Sequence, residues 1–125
     1  MTQKTSPLAA ELLAIAHDAA SQAAQLLMQR PIHFELTEKS TAIDFATQMD
    51  EKAEALIVAS ILRARPDDGI VAEEGAARES KSGIRWVIDP LDGTVNYFYG
   101  WPGWNVSIAA VDQHGSLAGV VAAPT

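Results

Sequence analysis

The length, composition and charge of the chain exclude several classes of protein. Its 125 residues fit one domain, and a hydrophobic content of 48% is enough for one buried core. The 16 acidic and 9 basic residues give a net charge of −7, which would repel a nucleic acid polymer. Because the chain contains no cysteine, it has neither a disulfide nor a thiolate metal site. We therefore expect a globular protein whose ligands are small molecules.

The hydropathy pattern argues against membrane insertion and secretion. No apolar run approaches the roughly 20 residues that a membrane-spanning helix requires. The N-terminal segment leads into an alanine-rich helical pattern that is interrupted by Glu11, His17 and Asp18, so it lacks the continuous apolar centre of a signal peptide. These observations predict a cytoplasmic protein without a membrane partner.

Two helices are predicted in the first half of the chain. Ser6 is a suitable N-cap, Pro7 fits the first turn, and apolar residues recur every three or four positions up to about Arg30. Residues 34–47 are mixed and polar, and we expect extended structure there. A second helix is predicted from Thr47 to the stop signal at residues 66–69.

Short strands are predicted in the second half of the chain. Residues 70–72 and 84–88 are short apolar runs that lead directly into Glu73 and Asp89, and the stretch between them is predicted to be a mobile loop up to Gly83. Residues 106–111 and 117–121 are predicted to form a hairpin. If the first two strands are neighbours, their ends bring the two acids together.

The segment from Asp89 to Thr94 carries the residues with the clearest chemistry. Asp92 follows Asp89 by three residues, and Pro90 fixes its own φ, so a turn could point both carboxylates and the Leu91 carbonyl at one centre. Oxygen ligands select hard cations, and Mg²⁺ takes few protein carboxylates together with substrate phosphate. The sequence therefore predicts a magnesium site.

Gly93 and Thr94 supply the groups for a phosphate next to that ion. A glycine at the start of a turn or helix exposes backbone N–H groups that can hold phosphate oxygens. Hydrolysis of a phosphomonoester requires charge neutralisation and a positioned water molecule. Glu73 and the Thr94 hydroxyl are the groups available to orient that water.

Simpler interpretations remain open for several of these residues. Asp-Pro and Asp-Gly pairs are common in turns, and Asp50 could be the acidic member of a helix-capping arrangement that begins at Thr47. The aromatic residues 97–104 could form a ligand platform or pack around a turn. An EF-hand is excluded because Gly100 stands where its last glutamate belongs. A phosphatase with an aspartyl nucleophile remains a rival, although its two acids are usually separated by one residue rather than two.

Residues 86–96, followed by residues 100–102 and 106–109, resemble the first signature of the inositol monophosphatase family. Glu73 and Glu74 after a short strand support the resemblance. So do five upstream residues that match the family's spacing: Lys39, Ser40, Asp44, Thr47 and Asp50. The resemblance covers nearly the whole chain.

The resemblance implies a fold and an activity. The expected fold is the mixed α/β (α+β), layered αβαβα sugar-phosphatase fold, with residues 1–125 as a single domain that forms its N-terminal part, usually assembled as a homodimer. The implied activity is Mg²⁺-dependent hydrolysis of a small phosphomonoester such as inositol monophosphate. Histidinol phosphate, fructose bisphosphate and nucleotide phosphates are alternative substrates.

The resemblance also assigns roles to individual residues. It implies that Glu73, Asp89, the Leu91 carbonyl and Asp92 bind Mg²⁺. Glu73 and Thr94 would activate the water, with Asp50 holding Thr94, and the backbone N–H groups of Gly93 and Thr94 would bind the phosphate.

The chain departs from the family pattern in three ways. Ala72 stands where glycine is usual, and Asn105 stands where a small apolar residue is usual. The family's second signature, which supplies a further metal-binding aspartate, does not occur in these 125 residues. A non-catalytic remnant that binds a metal ion or a partner therefore remains an alternative.

Overall fold

The computed structural model describes residues 6–29, 39–72, 77–99 and 101–123, with side chains in the second helix described from residue 48 onward. Within these ranges three helices and five strands follow one another along the chain. In order they are α1 (Pro7–Met28), α2 (Lys39–Ala64), β1 (Gly69–Ala72), β2 (Ala77–Arg78), β3 (Arg85–Asp92), α3 (Thr94–Tyr99), β4 (Asn105–Asp112) and β5 (Gly115–Ala122).

The strands form a single sheet in the order β2-β1-β3-β4-β5. β1 runs parallel to β3, which confirms that the two predicted strands are neighbours, and the other pairs are antiparallel. The long helices pack against each other, with α1 on β4 and β5 and α2 on β3. This mixed α/β arrangement confirms the expected fold class.

The core lies between the two long helices and one face of the sheet. Alternate residues of β3 and β4 are buried there, as the period of two in a strand requires. Trp86 and Ile108 are fully buried, and the facing surface of α1 consists largely of alanine, including Ala16 and Ala20. Small side chains let the helix approach the sheet closely, and the wide aromatic ring fills the remaining space.

Helix α1 has the predicted beginning. The Ser6 hydroxyl accepts a hydrogen bond from the Ala9 N–H at 3.0 Å, and Pro7 occupies the first turn. The helix ends at Met28, close to the predicted end. None of the described helices is long and apolar enough to cross a membrane.

The prediction of extended structure before Thr47 was wrong for residues 39–46, which belong to α2. This segment contains β-branched and polar residues but neither glycine nor proline. Each residue added to an existing helix gains a backbone hydrogen bond, which outweighs small differences in propensity. Residues 34–38 lie outside the described ranges.

The prediction of a loop was wrong for residues 77–78, whereas residues 79–83 are irregular, as predicted. Residues 77–78 form β2, which pairs with β1. The backbone N–H groups of Lys81 and Ser82 donate to the Asp67 carbonyl at 2.8 and 3.1 Å. A segment rich in glycine and serine therefore makes long-range hydrogen bonds that no local propensity indicates.

The hairpin prediction was confirmed. β4 and β5 are antiparallel and are joined at Gln113 and His114, where the Asp112 carboxylate accepts from the His114 N–H at 2.8 Å.

Candidate metal and phosphate site

Strand β3 contains an irregularity at the predicted metal site. Asp89 pairs with Ser107 of β4, and Asp92 pairs with Asn105, so three steps along β3 match two steps along β4. The extra residue is a β-bulge, and it includes Pro90, which has no N–H to donate to a ladder. The prediction of a turn that begins at Asp89 was wrong, because the strand continues to Asp92.

The bulge places the two aspartates on one face of the sheet. In a regular strand, residues three apart point to opposite faces. Ser107 and Asn105 are two apart and therefore share a face, and residues directly opposite them share it too. Asp89 is half-buried and Asp92 is exposed. The extra residue thus brings both carboxylates to the same face at the end of β3.

Gly93 ends the strand and leads into α3. Its φ is +81°, and an added Cβ would lie 3.0 Å from the Gly103 carbonyl oxygen and 3.1 Å from the Trp104 Cα. Both the backbone conformation and the close approach therefore require glycine here. Helix α3, which begins at Thr94, was not predicted as an element.

Two long contacts lie at the exposed edge of this region. The Thr94 hydroxyl donates to the Leu91 carbonyl at 3.4 Å, and the Asn105 amide donates to the Asp92 carboxylate at 3.5 Å. Both distances are at the outer limit of a hydrogen bond. The exposed Asp92 carboxylate thus keeps most of its capacity to accept a further partner.

The structure describes some of the predicted site residues and not others. Asp89, Leu91, Asp92 and Thr94 lie within six consecutive positions at the end of β3 and the start of α3. Asp50 lies on α2, which contacts both β3 and α3, and its Oδ1 atom is buried. Glu73 and Glu74 lie outside the described residues, as does Gly100. The roles assigned to all of these residues stay predictions.

The local chemistry fits a hard cation. Two carboxylates and a backbone carbonyl within four consecutive residues are an oxygen-only donor set, which suits Mg²⁺ better than a softer metal. In the part of the chain that the structure describes, no group of three or more His, Cys, Asp or Glu side chains could by itself hold a metal ion. A complete set of metal ligands at the end of β3 therefore requires a further ligand, which is the role predicted for Glu73.

The aromatic residues after Gly93 divide into two groups. Tyr97 and Trp104 are buried and meet edge to face at 5.1 Å, and the Tyr97 hydroxyl donates to the Leu27 carbonyl at 2.8 Å. Packing is therefore their evident role. Tyr99 and Trp101 stack at 4.8 Å and are each 55% exposed.

A buried polar cluster was missed by the sequence analysis, which treated residues 66–69 only as a helix stop. Asp68 is 1% exposed and accepts hydrogen bonds from Arg65 at 2.6 Å, Ser82 at 2.6 Å and Trp86 at 2.9 Å. Burial raises the pKa of Asp68, but the hydrogen bonds from these three donors outweigh it and hold the pKa below its usual value of 3.8. Acids and serines are so common in loops that no sequence signal identifies this cluster.

An extended comparison with known proteins agrees with the fold and the motif. The profile of the inositol monophosphatase family matches residues 8–125. The chain therefore belongs to the inositol monophosphatase family.

Individual relatives carry two kinds of name. The chain is 48% identical over 75 residues to "Nus factor SuhB" of Xylella fastidiosa, a match that covers 60% of this chain and 27% of that protein. It is 45% identical over 82 residues to "Inositol-1-monophosphatase" of Mesorhizobium japonicum, covering 65% of this chain and 31% of that protein.

The solved structures include the extragenic suppressor protein SuhB of Bartonella henselae. It superposes with a TM-score of 0.73 at 32% identity, covering 89% of this chain and 43% of that one. The chain thus spans less than half the length of these relatives.

Proposed function

We propose that this protein hydrolyses a small phosphomonoester with the help of Mg²⁺, with inositol monophosphate as the first candidate substrate. The observation that carries the proposal is the bulge in β3, which puts Asp89 and Asp92 on one face beside Gly93 and Thr94. Membership of the inositol monophosphatase family and a relative named as an inositol-1-monophosphatase support a phosphatase.

The residues at the end of β3 would hold the metal ion. Asp89, Asp92 and the Leu91 carbonyl supply oxygen ligands, and Glu73 follows the last described residue of β1 in sequence. Bound Mg²⁺ would neutralise phosphate charge and make a nearby water molecule more acidic.

The remaining predicted residues would act on the water and the phosphate. Glu73 and Thr94 orient a water molecule, and Glu73 accepts its proton as the water oxygen forms a bond to phosphorus and the ester P–O bond breaks; the alcohol oxygen leaves and takes up a proton from solvent water. Asp50 holds the Thr94 hydroxyl. The backbone N–H groups of Gly93 and Thr94 donate to the phosphate oxygens.

Phosphate release from a panel of phosphomonoesters, measured with Mg²⁺ and with excess chelator, tests the proposal. The panel contains inositol monophosphate, histidinol phosphate, fructose bisphosphate and a nucleoside monophosphate. We expect Mg²⁺-dependent release that Asp92→Asn lowers about a hundredfold. Asp18→Asn, the same change on the exposed surface of α1, is the matched control and should leave turnover unchanged. Release that persists in chelator would contradict the proposal.

A non-catalytic role is the second candidate. It is favoured by the name of one relative, since a protein that is 48% identical over 75 residues is named as a Nus factor rather than as a phosphatase. In that case the site would bind Mg²⁺ without turnover. Calorimetric titration with Mg²⁺ beside the phosphate-release assay separates the two roles, because binding without release supports only the second.

We further propose a cytoplasmic homodimer, as the family resemblance implies. The absence of cysteine from the sequence is compatible with a reducing compartment. Light scattering coupled to size-exclusion chromatography tests the assembly, and a monomeric mass at micromolar concentration would contradict it.

A further inference from the structure

The buried cluster around Asp68 joins three parts of the chain that are separate in sequence. Its Oδ2 atom accepts from Arg65, which directly follows α2, and from the Trp86 indole of β3. Its Oδ1 atom accepts from Ser82, in the segment that leads into β3. A carboxylate buried to 1% exposure is stable only when such donors surround it, so its contacts fix these parts relative to one another.

Hydrogen bonds to backbone carbonyls close the same region, which we call the strand base and define as residues 65–69 and 80–86. The Gly69 N–H donates to the Ile84 carbonyl at 2.8 Å, and the Ser80 hydroxyl donates to the same carbonyl at 2.7 Å. Arg78 reaches the Pro66 carbonyl at 2.5 Å. The two ends of the segment that contains β1 and β2 are therefore held together at the strand base.

The strand base lies at the start of both β1 and β3. Their parallel ladder consists of four residue pairs, from Gly69 with Arg85 to Ala72 with Ile88. On its other side, among the described residues, β1 pairs with the two residues of β2. So short a ladder has few hydrogen bonds to fix its register, and a slip by one residue would reverse every side chain of the strand. The bond from the Trp86 indole to Asp68 adds a link at one defined register.

We propose that Asp68 is a positioning residue for the metal site. It holds β1 in register with β3 and thereby determines the position of the end of β1 relative to Asp89. The proposal rests on the function proposed above. It extends that function by assigning a role at the site to a residue that lies about 13 Å along the strand from Ala72, the end of β1, given a rise of about 3.3 Å per residue.

The test compares Mg²⁺ affinity by calorimetry in the unaltered protein, Asp68→Asn and Glu11→Gln. Asp68→Asn keeps the shape and removes the charge. Glu11→Gln makes the same chemical change at the exposed acid that pairs with Arg65. Glu11 lies 3.0 Å from Arg65 and is 55% exposed. We expect Asp68→Asn to weaken Mg²⁺ binding about tenfold, as supporting residues around metal sites do, and Glu11→Gln to leave it unchanged.

Hydrogen exchange at the amides of residues 70–72 provides a readout that does not depend on the metal. It should become faster in Asp68→Asn, whereas the amides of α1 keep their rates. A role confined to overall stability predicts equal acceleration in both places and an unaltered Mg²⁺ affinity, and that result would overturn the proposal.

Ser82→Ala keeps the proposal testable if Asp68→Asn does not fold. It removes one of the three donors, and we expect a loss of Mg²⁺ affinity of about threefold, with the same local change in exchange. Unaltered affinity in Ser82→Ala would then overturn the positioning role. Absence of Mg²⁺ binding by the unaltered protein would instead overturn the proposed function itself.

Discussion

The two ends of β3 differ sharply in how their polar groups are satisfied. At the strand base, Asp68 accepts three hydrogen bonds of 2.6 to 2.9 Å away from solvent. At the other end, the contacts of Asp92 and Thr94 measure 3.5 and 3.4 Å and lie near the surface. Short satisfied contacts stabilise a fold, whereas oxygen atoms with spare capacity can bind a ligand. In this comparison one end of the strand contributes to stability, and the other end carries the residues of the proposed metal site.

The strongest way to break this comparison is to remove the carboxylate at the strand base. Asp68→Ala leaves the Trp86 indole and the Ser82 hydroxyl without their acceptor and Arg65 without its buried counter-ion. We expect a loss of about 3 kcal/mol in the free energy of unfolding, measured by urea denaturation. Asp92→Ala, at the exposed end, should change that free energy by less than about 0.5 kcal/mol. Equal losses in the two variants would show that the two ends do not differ.

A pair of glycines sharpens the comparison, because both have positive φ but different surroundings. Gly93 has a φ of +81° with backbone atoms 3.0 Å from an added Cβ, whereas Gly83 has a φ of +90° with nothing within 4 Å. Alanine at Gly83 should lower the free energy of unfolding by about 1 kcal/mol through backbone strain alone. Alanine at Gly93 should cost about 2 kcal/mol, because the strand end must also shift. Thermal unfolding of both variants measures the difference, and an equal loss would exclude the steric contribution.

The pH dependence of stability tests the charge of Asp68. Its pKa is lowered in the folded protein from the usual value of 3.8, so its ionised form favours folding. This contribution is fully present above about pH 5, where the carboxyl is ionised in both states, and it is lost as the pH falls through the lower folded pKa. We expect the stability difference between the unaltered protein and Asp68→Asn to narrow below pH 4. Urea denaturation at several pH values from 7 to 3 measures it, and a constant difference would contradict the ionised state.

The smallest expected effect concerns the ion pair between Arg65 and the exposed Glu11. Glu11→Gln removes an ion pair with Arg65 in which the acid is 55% exposed. Exposed pairs contribute little, so the free energy of unfolding should fall by no more than about 0.5 kcal/mol. A loss of unfolding free energy comparable to that of Asp68→Ala would mean that the buried contacts of Asp68 depend on the exposed Glu11.

The sequence predicted the elements whose signals are local. Helix α1 has a cap, a proline and a regular apolar pattern, and the β4–β5 hairpin has two β-rich runs around a turn, so both were found. The start of α2 was missed because residues 39–46 are poor in helix signals, and helix propagation does not depend on them alone.

The candidate site was only partly predictable for a physical reason. The types and spacing of Asp89, Asp92 and Gly93 led to the predicted metal and phosphate chemistry, which stays a prediction, whereas the geometry was predicted as a turn and is a bulge. A bulge depends on the register with β4, which involves Ser107 and Asn105 some 13 to 18 residues away. The contacts of Asp68 with Ser82 and Trp86 likewise join residues 14 and 18 positions apart, and no local pattern reports them.

The central claim is that Asp89 and Asp92 act on one metal ion, and a double-mutant cycle on Mg²⁺ binding tests it most directly. The cycle compares Asp89→Asn, Asp92→Asn and the double variant by calorimetry, with Asp18→Asn as the control. The account predicts that each single change weakens binding at least tenfold and that the double variant loses much less than the product of the two, because the carboxylates share one ligand. Two small effects that multiply independently would contradict a shared centre.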